Sequence, residues 1–201
     1  MFGKRQTKFA VGAGAAVLAV SAIAPGTKAV EAPPQTGFMM TSATFKDGEM
    51  LPARIAFTKT AQVPFCVGEN ISPQLAWSNP PPGVKSYALT MVDQEGGGGV
   101  GDFDLVAYGI PANVTSFAEG DLNKPSDKFV GGKNVWNTFT WRGMCPPAGT
   151  APHHYVFKVV ATDLDPKDLP PGLTYEELQG RIKGHAKGAT ALVGTFVRPK
   201  I

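Results

Sequence analysis

The sequence predicts a mainly β protein, an antiparallel two-sheet sandwich with one late helix and a final strand. Three observations carry that expectation. Short runs that alternate polar and apolar residues, or stay apolar, recur along the chain and are rich in Val, Tyr, Phe and Thr, which suit a pleated, half-buried surface. The 24 Gly and 18 Pro are dispersed between these runs, as turns are when many strands reverse direction. No internal repeat and no strand–helix–strand rhythm occurs, so a parallel sheet, which needs helical crossovers, is not expected.

Taken in order, "FMMTSATF" (38–45) reads as a first strand, followed by a turn at Asp47–Gly48 and a second strand candidate in "RIAFTKTA" (54–61). Pro73 and Pro80 to Pro82 confine the next segment to a short strand at Leu75–Trp77. The clearest strands are "SYALTMVD", "LVAYGIP", "HHYVFKVVATD" and "ATALVGTFVRP". Only "LTYEELQGRIKGHAKG" reads as a helix: Thr174 and Glu177 have capping-box spacing, Leu178 and Ile182 share a face, and Gly184 or Gly188 can end it. "GGGGVG" lacks the Lys-Ser/Thr ending of a phosphate-cradling loop and precedes a strand, so it reads as a flexible turn. The polar connection Gly120 to Thr140 is long enough to rim a site.

The N-terminus carries a different message. Lys4, Arg5 and Lys8 precede the uncharged apolar stretch Phe9–Ala24, and small residues follow to Ala29. That is the layout of a secretory signal peptide, expected over residues 1–29, with cleavage after Ala29 preferred to Ala24 because Pro25 would follow the earlier cut. A retained anchor is the alternative, although the stretch falls short of the ~20 residues that span a bilayer. Residues 30–37 read as a flexible lead-in and 38–201 as one domain, exported to a periplasm or to the exterior, with no stable membrane insertion once the leader is gone. In an oxidising compartment Cys66 and Cys145 would join; two separate buried thiols are the alternative. The net charge of +3 is small and partly in the leader, and no basic run interleaved with aromatics remains, so nucleic acid is not an expected partner.

The succession "GENISPQLAWSNPPPGVKSYALTMVD", "VAYGIPANVTS", "CPPAGTAPHHYVFKVVATD" and "RIKGHAKGATALVGTF" resembles the phosphatidylethanolamine-binding protein family, in its bacterial Raf-kinase-inhibitor-like branch, over roughly residues 38–198. The resemblance implies a large and a small antiparallel sheet with a shallow anion-binding pocket at one end, taking a phosphate-type head group or serving a protein partner. By position it places Asp93, Gly143, Pro146, Pro147, His153 and Tyr155 in that pocket, with Asp104 where the family has a second histidine. Gln94 and Glu95 replace the Pro-Asp that normally follows the first acid, and His154 replaces an arginine.

The residues themselves add three expectations. Strand alternation puts Tyr87, Leu89, Met91 and Asp93 on one face, His153 and Tyr155 on another shared face, and Asp104 with Val106 and Tyr108. Pro146 and Pro147 make a rigid wall without N–H donors, and Gly143 permits close approach of a ligand. Asp104 near Asp93 sets two carboxylates together, so one acid must bind a cation, pair with a base or hold a proton. A phosphate would then be repelled unless Arg142 or Lys133 folds over the site, which leaves both a small anionic and an amine-containing ligand open. The leading expectation is a non-enzymatic binding module without a cofactor. Two alternatives are an interaction or inhibitor module using the 120–140 loop, and a metal-assisted hydrolase drawing on Asp93, Glu95, Asp104 and His153. No nucleophile elbow or close-spaced metal motif accompanies the latter.

Overall fold

Eight strands make two antiparallel sheets, described over residues 36–200 of a computed structural model. The expected leader and nearly all of the lead-in lie outside the described residues. The large sheet has the order β6-β4-β3-β7-β8, built from β3 (Ser86–Asp93), β4 (Asp102–Pro111), β6 (Val130–Gly131), β7 (His153–Thr162) and β8 (Ala186–Phe196). The small sheet has the order β1-β2-β5, from β1 (Met39–Thr41), β2 (Leu75–Ser78) and β5 (Ser116–Phe117). The mainly β, two-sheet expectation is met.

Alternation along β3 sorts the core. Tyr87, Leu89 and Met91 face the small sheet and join Met40, Leu75, Trp77 and Phe117 in the inter-sheet core, with Phe157 and Val159 from β7. Ala88 faces the other way, where Val106 and Tyr108 pack under Leu169, Leu173 and Leu178. Leu178 belongs to the one long helix, α1 (Tyr175–Ile182), whose capping box forms as the sequence predicts: the Thr174 side chain accepts from the Glu177 N–H, and the Glu177 side chain accepts from the Thr174 N–H. Gly184, at φ 87°, ends it.

Two irregularities in the β3–β4 ladder matter. Gly109 is an extra residue between the Tyr87–Ile110 and Leu89–Ala107 pairs; it has φ 59°, and a Cβ there would lie 2.7 Å from the Pro166 carbonyl oxygen. Nearer the site, Met91 pairs Leu105 but Val92 pairs Phe103, so Asp104 is the extra residue of a second bulge.

The strand expected at 54–61 does not form. A 3-10 turn occupies Ala53–Ile55, and beyond it the Phe57 N–H donates to Met144 while the Phe57 and Ala56 carbonyls accept from Gly68 and Asn70. These backbone groups are satisfied by two separate loops, so no continuous ladder develops despite the strand-like pattern. At the opposite edge, residues 47–51 run along β8: Gly48 and Leu51 donate to Val193 and Thr195, Thr195 donates to Glu49, and Val193 donates to the Asp47 carboxylate.

Candidate functional site

Asp93 ends β3, opposite Tyr155 of β7 on one side and Asp102 of β4 on the other. Its carboxylate accepts from the N–H groups of Glu95 and Gly96 at 3.1 Å, from the Tyr155 hydroxyl at 2.8 Å and from His153 Nδ1 at 2.9 Å. The contact places the His153 ring proton on Nδ1, toward the carboxylate. Burial first, then the Asp93 charge, push the Tyr155 hydroxyl far above its usual range, so it remains a proton donor. Asp93, His153 and Tyr155 thus form one buried network whose acceptor sites are used by the protein itself.

A cavity of about 300 Å³ opens on the outer side of Asp93. Of the residues expected at the site, Asp93, Asp104, Gly143 and Pro147 line it; Pro146, His153 and Tyr155 do not. His153 and Tyr155 stand behind Asp93, and the Pro146 carbonyl is turned to Arg198, whose Nε donates to it at 2.7 Å. Arg198 also stacks over Phe65, 4.6 Å from the ring centroid, and donates to the Phe65 carbonyl. Between these two anchor points Cys66 and Cys145 are joined in a disulfide, which ties the pocket loop to the 65–67 segment.

Asp104 enters this cavity against the alternation expected for it. An unbroken β4 would aim it with Val106 and Tyr108 under α1; the bulge between Phe103 and Leu105 turns it to the Asp93 side instead. It is only 7% exposed, and among the described residues its carboxyl has no hydrogen-bond or ion-pair partner. Burial first, then the Asp93 charge, hold Asp104 well above the usual carboxylate range; Arg142 opposes this and Asp102 reinforces it.

Arg142 resolves which cation reaches the site. It lines the cavity at 8% exposure, with its guanidinium carbon 3.7 Å from the ring centroids of both Phe57 and Trp136. This aromatic sandwich fixes the cation while leaving its N–H donors unspent: among the described residues none reaches an acceptor. Lys133 lies instead beside a second, smaller cavity with Asp102 and Tyr175. Phe57 and Trp136 carried no local signal in the sequence, because the sandwich joins the 57 segment to the distant 136–142 segment; the 120–140 connection supplies Trp136, as a rim to the site.

Gly143 also makes a close approach to the protein itself. A Cβ there would meet the Ile55 carbonyl oxygen at 2.2 Å and Ala56 C at 2.5 Å, and the Gly143 N–H donates to the Asn70 side chain at 2.7 Å. The metal-assisted hydrolase gains no support. Asp93, Glu95 and His153 do have donor atoms within 4.8 Å of one another, but Asp93 is saturated and Glu95 accepts from the His154 N–H and pairs with its ring at 2.8 Å. Asp104 is outside that group.

Comparisons with known proteins agree with this architecture. Over 168 residues the chain is 33% identical to LppC of Mycobacterium tuberculosis (strain ATCC 25618 / H37Rv), named as a candidate lipoprotein, covering 82% of this chain and 75% of that one. It is 38% identical over 128 residues to the UPF0098 protein YbcL of Escherichia coli (strain K12), covering 62% and 68%. The crystal structure of E. coli YbcL, described as a new member of the mammalian PEBP family, superposes with a TM-score of 0.70 at 30% identity over 80% of this chain and 98% of that one. With the sequence profile described as phosphatidylethanolamine-binding protein matching residues 41–197, the chain belongs to the phosphatidylethanolamine-binding protein family.

Proposed function

We propose that the protein is an exported, non-enzymatic binding module that seats a small ligand in the cavity between Asp104 and Gly143, through an anionic group on Arg142. The carrying observation is Arg142 itself, a buried guanidinium held between Phe57 and Trp136 on the wall of the cavity, with no acceptor for its donors among the described residues. Desolvated arginine donors recover their lost hydration by binding an oxyanion. Export is supported by the leader pattern, the Cys66–Cys145 bond and the candidate-lipoprotein relative. Calorimetric titration with sodium acetate and sodium phosphate tests the reading: Arg142→Gln should weaken binding at least about tenfold. Unchanged affinity in that variant would remove it.

A second reading, a protein partner, draws on the exposed apolar side chains Val135, Trp136 and Phe139, all on the 120–140 connection. A partner captured from the exported fraction that is lost with Val135→Ser and Phe139→Ser together, yet kept with Arg142→Gln, would favour it over the cavity.

A further inference from the structure

We propose that the cavity selects a small zwitterion, a carboxylate seated on Arg142 and a primary ammonium seated on Asp104, carried on an apolar body the size of an amino-acid side chain. The ligand class is therefore a free amino acid, and the proposal rests on the anion-at-Arg142 reading above.

The inference starts from two opposite charges that do not meet. Asp104 and Arg142 are both more than nine-tenths buried, both line the same cavity, and among the described residues neither has an ion-pair or side-chain hydrogen-bond partner. A buried carboxyl and a buried guanidinium normally pair or find polar partners, because each unpaired group carries its desolvation penalty. Here the aromatic sandwich holds the guanidinium, and the bulge of β4 holds the carboxyl. A ligand that presents both complementary groups satisfies the two at once.

The charge count favours a carboxylate over a phosphate. Asp93, Asp102 and Asp104 all face the cavity, and of its two arginines Arg198 already spends donors on Pro146 and Phe65. A dianionic head group would face three carboxylates with one unspent guanidinium. A singly charged carboxylate is matched by Arg142, and its ammonium takes the place of the proton that burial and Asp93 otherwise favour on Asp104. The rest of the wall is apolar, from Val63, Phe65, Trp136 and the Cys145 end of the disulfide. At about 300 Å³ the space is at the small end of ligand pockets, which suits one amino acid.

The experiment is titration calorimetry of the purified protein with L-phenylalanine, L-leucine, N-acetyl-L-phenylalanine, L-phenylalaninamide and phosphoethanolamine. The free amino acids should bind at least about tenfold more tightly than either blocked form. Asp104→Asn should remove that advantage over the N-acetyl compound. Equal binding of N-acetyl-L-phenylalanine and L-phenylalanine would overturn the proposal, and so would tighter binding of phosphoethanolamine than of either amino acid. The underlying reading fails separately, if Arg142→Gln leaves N-acetyl-L-phenylalanine binding untouched. Thermal melts accompany both variants, and Arg142→Lys, which keeps the charge, replaces Arg142→Gln if the latter does not fold.

Discussion

The hydroxyl of Tyr155 donates to Asp93 Oδ2 at 2.8 Å across the β3–β7 ladder, in register with it and shut away from the cavity. That hydrogen bond to a buried charge supports the fold rather than the ligand. Tyr155→Phe should cost about 1.5–3 kcal/mol of stability, the range for a hydrogen bond to a charged group, while ligand affinity changes little. Chemical denaturation of the variant beside its calorimetric titration checks both halves; a large affinity loss with intact stability would reverse the assignment.

Asp104 gives the stability of the protein a definite pH dependence. Burial and Asp93 raise its folded-state pKa above the ~3.9 of an unfolded aspartate, so the folded state holds the proton more tightly. Below that unfolded value both states are protonated and Asp104 imposes no penalty. As pH rises through the unfolded value toward the raised folded value, the unfolded chain releases the proton first and the fold loses stability, until both states are ionised. Asp93, Asp102 and Arg142 are the charges that set this window. Asp104→Asn should therefore raise the melting temperature at neutral pH, with the gain shrinking toward pH ~4. Melts from acid to neutral pH decide the matter, and a gain that is constant across that range would contradict it.

Gly143 is the tightest backbone junction of the pocket loop. Gly143→Ala would drive a methyl group into the backbone of Ile55 and Ala56, neither of which can rotate away, and should cost about 2 kcal/mol or more. Because the loop also lines the cavity, binding of acetate should weaken in the same variant. A melting temperature equal to that of the parent protein would show that the 53–57 segment yields more easily than its burial implies.

The Cys66–Cys145 bond closes 79 residues of sequence, for which loop-closure entropy gives about 4 kcal/mol. Replacing both cysteines by alanine should lower the denaturation midpoint by a corresponding amount, and added reductant should bring the parent protein toward the same midpoint. A reductant-insensitive midpoint would assign the loop's stability to Arg198 and its two carbonyl contacts instead.

The regular strands were legible because their side-chain period is local. Ser86–Asp93 and His153–Thr162 follow the sequence reading almost residue for residue, and Thr174 with Glu177 announced the helix start. The segment 54–61 misled for the opposite reason: its pattern is strand-like, but the partners of Phe57 and Ala56 sit on loops that no periodicity reports. Asp104 departs from the face that alternation assigns it, because one extra residue in β4 inverts the alternation and leaves no mark in composition. Arg142 was named as a cation that could cover the site, yet its position depends on Phe57 and Trp136, which only the folded chain brings together. Gly143 lines the cavity, and its missing Cβ also makes room for Ile55 and Ala56, a need that no local pattern reports.

The run of residues 47–51 along β8 bears on how the molecule meets other copies of itself. A sheet margin with unpaired N–H and C=O groups is a template on which another chain can add a strand, the first step toward fibres or swapped assemblies. Here Gly48, Leu51, Glu49 and the Asp47 carboxylate already occupy the outward backbone groups of Val193 and Thr195. At the other margin β6 is two residues long, too short to recruit a partner strand with any register. The chain thus covers the Val193–Thr195 end of that margin with its own covalent length, leaving that part no free backbone groups for self-addition.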